Sequence, residues 1–127
     1  MPAYPANPTA VPPSAVAFGD DALLVNAETL GAGNRSQRVA IADKAGTGPR
    51  PVTVTFAYAG VPASTQYDIY AAFDDTPLAY GKVGTTNNVN GDQVTIQRAA
   101  AGGPNFRFLL VQEVITPNVA ATVKARQ

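Results

Sequence analysis

Val52-Thr53-Val54-Thr55-Phe56-Ala57-Tyr58 is the stretch that decides the fold. Val52, Val54, Phe56 and Tyr58 fall on one side of an extended chain, and Thr53, Thr55 and Ala57 on the other. A period of two with β-branched and aromatic enrichment is the pattern of a strand with one buried face. Pro51 opens the run, and Gly60 with Pro62 closes it, so a strand is expected over 51–59.

The same rhythm continues in both directions. Tyr67, Ile69, Ala71 and Phe73 share one face of a strand expected over 66–74, with Asp68, Tyr70 and Ala72 opposite. Asp74-Asp75-Thr76-Pro77 reads as a tight turn into a strand over 78–83, antiparallel to the one before. The cluster from Asn87 to Asp92 contains Asn90-Gly91, a pair that favours the positive φ of a hairpin turn. A strand over 92–98 follows, with Val94 and Ile96 inward, and then a small-residue loop over 99–104. Phe106 to Ile115 is the most apolar run, expected as a strand over 105–115. Phe106, Phe108, Leu110, Gln112 and Val114 lie on one face and Arg107, Leu109, Val111, Glu113 and Ile115 on the other, so both are largely apolar and the strand should be central and covered twice. A weaker strand is expected over 118–124. Upstream, Ala22 to Leu30 and Gln37 to Ala42 alternate less clearly, and an Asp20- or Asp21-capped helix over 20–30 is the alternative there. Phe56, Ile69, Val94, Phe108 and Leu110 are the expected core. About seven or eight short strands with frequent turns and no interleaved helical pattern predict an all-β fold. It should be one β-sandwich or jelly-roll-like domain over 14–127, with mostly antiparallel strands.

Residues 1–13 stand apart. Pro2, Pro5, Pro8, Pro12 and Pro13 are five of the 11 prolines in the chain. Each lacks an amide donor and restricts its predecessor to extended geometry, so the segment reads as an extended, partly polyproline arm. A frayed terminus is the plain reading; an arm lying on a neighbouring subunit, with Tyr4, Pro5 and Val11 as its contacts, is the functional one.

Composition removes several classes of activity. The 127 residues suit one domain, and 46% hydrophobic content supports a core. There is no Cys or His, so thiol nucleophiles, disulfides, Ser-His-Asp chemistry and His-based proton shuttling are excluded. Nine basic and nine acidic residues balance, and the scattered Arg and Lys offer no surplus for nucleic acid. Charged residues make up only 14% of the chain, which suits a surface partly covered by partners. Met1-Pro2-Ala3-Tyr4 has no basic start and no apolar h-region follows, and no apolar run is long enough to span a membrane as a helix. The expectation is a protein made in the cytoplasm and left unprocessed, which makes the sequon Asn34-Arg35-Ser36 irrelevant.

Candidate motifs are weak on their own terms. Gly31-Ala32-Gly33-Asn34-Arg35-Ser36 begins like a dinucleotide fingerprint but lacks the third glycine and the following helix, and reads as a loop. Gly46-Thr47-Gly48-Pro49-Arg50 lacks the Gly-Lys-Ser/Thr ending of a phosphate loop. Thr86, Asn88, Asn90, Gly91 and Gln97 are spaced loosely like a calcium loop, but without the terminal bidentate Glu a hairpin turn is the better reading. Asp68 with Asp74-Asp75, and Asp20-Asp21, are the carboxylate clusters; neighbours in an extended chain point to opposite sides, so turn chemistry is favoured over catalysis or a cation. Five Tyr and five Phe are enough for a sugar platform, but there is no Trp, and Tyr58, Tyr67 and Tyr70 sit within strands where core or subunit-contact roles are expected. No catalytic residue, metal or cofactor is expected, nor a small-molecule substrate.

Taken together, the strand-rich chain, its low charge and its Pro-rich arm resemble, in general build, the small β-sandwich virion proteins of tailed bacteriophages, of the capsid decoration or cement type. The resemblance covers the whole chain and rests on architecture. It implies a non-enzymatic structural protein of the virion, made in the host cytoplasm, a homo-oligomer such as a trimer, bridging neighbouring subunits of a major capsid or other virion protein. Helix-poor phage tail proteins are similar in the same way. The rivals are a carbohydrate- or receptor-binding adhesin module, which needs aromatics exposed at one end of the sandwich, and an enzyme, which needs a buried carboxylate pair in a deep cleft.

Overall fold

The computed structural model describes residues 14–16, 21–41, 50–61, 65–73, 79–87, 91–97, 106–114 and 119–127. The described chain forms nine strands and no α-helix: β1 (Ser14–Val16), β2 (Asp21–Glu28), β3 (Val39–Ile41), β4 (Val52–Tyr58), β5 (Tyr67–Ala72), β6 (Gly81–Thr85), β7 (Asp92–Ile96), β8 (Phe108–Glu113) and β9 (Ala121–Arg126). They lie in a five-stranded sheet, order β1-β3-β8-β5-β6, and a four-stranded sheet, order β2-β9-β4-β7. Every pairing is antiparallel except β1 with β3. Leu24, Val54, Phe56 and Val123 of one sheet and Val39, Ile69, Leu109 and Val111 of the other bury into one shared core. The all-β sandwich expected from the sequence is therefore the fold.

β4 is built as its alternation dictates. Val52, Val54, Phe56 and Tyr58 are buried, and Ala57 faces out. Phe56 stacks on Tyr58 and Tyr67, with ring centroids 6.4 and 5.8 Å away, which ties the two sheets together. β8 is the central strand of its sheet, with β3 on one side and β5 on the other. Its Leu109 and Val111 enter the main core, while Leu110 faces outward into a second cluster with Ala72 and Tyr80, flanked by Tyr70 and Phe108. The expectation of a strand covered on both faces holds.

Several expectations need correction. Of the two readings of the segment 20–30, the strand is the one found, as β2 over Asp21–Glu28, and the helix alternative falls. Its neighbour β9 runs to Arg126, lies between β2 and β4, and buries Ala121, Val123 and Ala125, so it is an interior strand. Phe73 is expected on the same face as Tyr67, Ile69 and Ala71, which are buried; the strand ends at Ala72, and Phe73 is 60% exposed. The strand expected over 78–83 starts three residues later, at Gly81. Tyr80 precedes it and packs on the outer cluster. Gly91 does take a positive φ of 76°, but the turn joins β6 to β7 in the other sheet, so no hairpin forms. Phe108 and Val94 are half-buried. Phe106, matched to Phe108 by parity, lies before the strand begins and buries in the main core. The Asp74–Pro77 turn and the arm over 1–13 lie outside the described residues.

The two sheets approach closely where β6 faces β7. A Cβ added to Gly84 would come within 3.0 Å of Val94 Cγ1 and 3.2 Å of Ile96 Cδ1. Gly84→Val should overfill this seam and cost about 1–3 kcal/mol in urea unfolding. Phe56→Ala should cost about 3–5 kcal/mol, while half-buried Phe108→Ala should cost clearly less. Equal losses for the two phenylalanines would contradict the packing described here.

Candidate functional site

Three places outside the plain hydrophobic core concentrate chemistry. The first is at one end of the sandwich, where β8 finishes. Parity puts Glu113 on the same inward face as Leu109 and Val111, and its side chain is fully buried. The loop after β2 closes over it. Gly31 and Gly33 adopt φ of 95° and 80°, and the Asn34 amide donates to the Gly31 carbonyl at 3.0 Å. That turn aims the Leu30 and Gly31 amides at Glu113 Oε2, each at 2.5 Å. Gln66 Nε2 donates to Glu113 Oε1 at 3.4 Å and to the Val119 carbonyl at 2.7 Å. The loop then runs along β8: the Gly33 amide donates to the Glu113 carbonyl, the Glu113 amide to Asn34 and the Ser36 amide to Val111. The glycine-rich motif is thus a carboxylate-capped turn and not a nucleotide loop.

Burial pushes the Glu113 carboxyl up, and the Gly31, Leu30 and Gln66 hydrogen bonds pull against that. Burial also raises the neighbouring Tyr67 hydroxyl, with the Glu113 charge adding to the shift. Burial raises the Tyr58 hydroxyl too, with the Thr86 hydrogen bond opposing and the Asp92 charge adding to the shift. Asp92 repeats the device on a smaller scale: buried at the start of β7, its Oδ2 accepts from the Asn87 amide at 2.6 Å. In both places a carboxylate holds a turn.

The second place is the outer face of the five-stranded sheet. Arg35 is nine-tenths buried; its Nε donates to Gln112 Oε1 at 2.9 Å, and its guanidinium lies 5.0 Å from the centre of the Tyr70 ring. Burial lowers the Arg35 pKa, and Tyr70 and Tyr80 counter this. The arrangement covers Tyr70 with a cation.

The third place is a groove of about 400 Å³ at the opposite end of that sheet, where β5 ends and β6 begins. Ala71, Ala72, Phe73, Ala79, Val83 and Phe106 give it an apolar lining, with Lys82 beside them. Val83 is the extra residue of a bulge, since Ile69 pairs with Gly84 and Tyr70 with Lys82. The bulge leaves Val83 42% exposed. A smaller hollow of about 250 Å³ is lined mainly by alanines, Ala27, Ala57, Ala59, Ala120 and Ala121. Neither hollow is lined by Glu113, Glu28 or Asp92.

The sequence-derived candidates are dispersed. Tyr4, Pro5 and Val11 lie outside the described residues, as do Asp20, Asp74, Asp75, Asn88 and Asn90. Asp68 pairs with Lys82 at 3.5 Å and Asp21 with Arg126 at 2.7 Å, both at the surface. Thr86, read as a loop position, is buried, and its Oγ1 accepts from the Tyr67 amide. Glu113 and Arg35 were not singled out. The available signal for Glu113 was a charged residue on a core-facing parity. Comparison with protein-family models, curated proteins and solved structures finds no match to this chain.

Because its pKa is raised, folded Glu113 keeps its proton at pH values where the unfolded chain has lost it. Stability therefore falls as pH climbs through and above the ordinary carboxylate range, and Glu113→Gln should remove that part of the fall. Glu113→Ala strands two buried amides and should cost about 2–4 kcal/mol at neutral pH. Urea unfolding across pH checks both; a Gln variant with an unchanged pH profile would contradict the assignment.

Proposed function

We propose that this chain is a non-enzymatic structural protein that works by assembly, a capsid decoration or cement subunit of a virion. In this reading it associates with copies of itself, a trimer being one closed arrangement, and bridges neighbouring subunits of a major capsid or other virion protein. The observation that carries the assembly part is the groove: Phe73 at 60% and Val83 at 42% exposure line one apolar surface at a sheet end. Large apolar side chains brought together in water mark contact surfaces. Zero net charge and a 14% charged content point the same way, because little repulsion opposes association. The virion placement rests on the resemblance in build to phage decoration proteins.

The buried carboxylates support the non-enzymatic part. Glu113 and Asp92 spend their oxygens on loop amides, away from both hollows. Among the described residues the tyrosines do not favour a glycan platform, since Tyr58, Tyr67 and Tyr80 are buried and Tyr70 lies half-buried against Arg35, which leaves Phe73 as a single exposed ring.

Sedimentation of the full chain should show reversible self-association, weakened about tenfold or more by Phe73→Asp if the groove holds a hot spot. A wild-type chain that stays monomeric up to its solubility limit would overturn the assembly reading. An antibody to the chain should label the outside of intact phage particles; labelling confined to the soluble fraction would overturn the virion placement.

A further inference from the structure

The groove and the start of the described chain lie at opposite edges of one sheet, with Ser14 level with groove residue Ala71 through Val39 and Leu109. β1 and β6 are its two edges, separated by four strand spacings, or about 19 Å at ~4.8 Å each. The pairings also fix the ends. β8 starts beside Ala72, and Ile41 lies at the same end, donating its amide to the Arg107 carbonyl. Val16 pairs with Ile41, so the C-terminal end of β1 is at the groove end and Ser14 points towards the Glu113 end. Thirteen residues precede Ser14. In polyproline geometry they extend about 40 Å at ~3.1 Å per residue.

Their sequence carries a period of three. Pro2, Pro5, Pro8 and Val11 recur every third residue. Polyproline II has three residues per turn, so in that geometry these four side chains would share a single apolar stripe, with about 9 Å between successive members. Such stripes dock in grooves lined by aromatic side chains. Phe73 and Phe106, set among Ala71, Ala72, Ala79 and Gly81, provide a groove of that chemistry. The prolines also argue against strand addition, since they lack donors, and the β6 edge is bulged at Val83.

We propose that the Pro2-Pro5-Pro8-Val11 stripe of one copy seats in the Phe73–Phe106 groove of the next copy. This rests on the assembly reading above and names the contact that makes the assembly. An arm that filled its own groove would have to reverse at Ser14 and cross its whole sheet; a neighbour's groove needs no reversal. The contact is head-to-tail, joining two different surfaces, so it closes into a ring or runs on as a chain. Residues 1–13 contain no Asp, Glu, Lys or Arg side chain, so the association should be insensitive to salt.

The test uses full-length chains, which contain no Cys of their own. A chain carrying Pro5→Cys is mixed with a chain carrying Val83→Cys under mild oxidation, and a disulfide joining the two chains is expected. In parallel, sedimentation compares a stripe variant (Pro2, Pro5, Pro8 and Val11→Ser) with an off-stripe control (Ala3, Ala6 and Ala10→Ser). The stripe variant and Phe73→Asp should each weaken self-association about tenfold or more, with the control changing less than about twofold. Circular dichroism confirms that each variant keeps its strand spectrum. Equal weakening by stripe and control variants would overturn the proposal, as would a disulfide that forms only within a chain carrying both cysteines. Self-association untouched by stripe and groove variants would overturn this contact while leaving the assembly reading standing. A monomeric wild type would remove both.

Discussion

β8 is the constraint from which the rest of this domain follows. It is hydrogen-bonded on both sides, and it carries apolar side chains on both faces. A strand in that position leaves no face for water, so each neighbour must supply cover in a fixed register. β5 pairs with it over six residues, from Tyr67 opposite Glu113 to Ala72 opposite Phe108. On the other side, β3 pairs only through Val39 and Ala40, and the remaining length is taken up by the 33–36 segment. Glu113 is where this arrangement meets its limit. The inward parity that buries Leu109 and Val111 also buries a carboxyl group, and the loop after β2 is shaped to satisfy it. The two left-handed glycines, the Leu30 and Gly31 amides and the Gln66 side chain are consequences of where β8 ends.

The sequence makes the strands legible because alternation is a local property. Val52 to Tyr58 declares its buried face residue by residue, and Phe106 to Ile115 declares that it has two. What is not legible is set by distant partners. β9 looks weak because its inner positions are Ala121, Val123 and Ala125, yet it lies between two strands. Small inward residues register as low hydropathy in a sequence and as close packing in a sheet. Parity also fails where a strand stops. Counting assigns Phe73 and Phe106 faces, but each lies outside the extended segment: Phe73 is exposed at the groove, while Phe106 touches the groove and buries in the main core.

The candidate site was less legible than the fold for the same reason. Glu113 and Arg35 act through groups far away in the chain, at separations a motif does not span, whereas Asp92 holds the Asn87 amide only five residues away. The Glu113 contact to Leu30 spans 83 residues, and the Arg35 contact to Gln112 spans 77. Of the carboxylates grouped in the sequence, the two described ones form ion pairs instead: Asp68 answers Lys82, and Asp21 answers Arg126. A glycine pair resembling a nucleotide fingerprint proved to need its positive φ for a turn over a carboxylate.

The edges of the sandwich bear on how such a chain can associate in a controlled way. A protein with few charges cannot rely on lysines along its edge strands to prevent ladder-to-ladder pairing. Here geometry takes that role. β1 has three residues and β7 five, too short to template a long partner. β2 is longer, but its register against β9 shifts twice, and Ala27 within it adopts a φ of 52°, a left-handed conformation that interrupts a flat ladder. β6 is broken by the Val83 bulge. Each exposed edge is therefore short or irregular, and indiscriminate strand addition is disfavoured at all four. The Val83 bulge does two things at once: it spoils the β6 edge for strand pairing and turns an apolar side chain towards the groove. A surface built in that way directs association towards side-chain docking, where shape selects the partner, and away from the backbone pairing that any extended chain could supply.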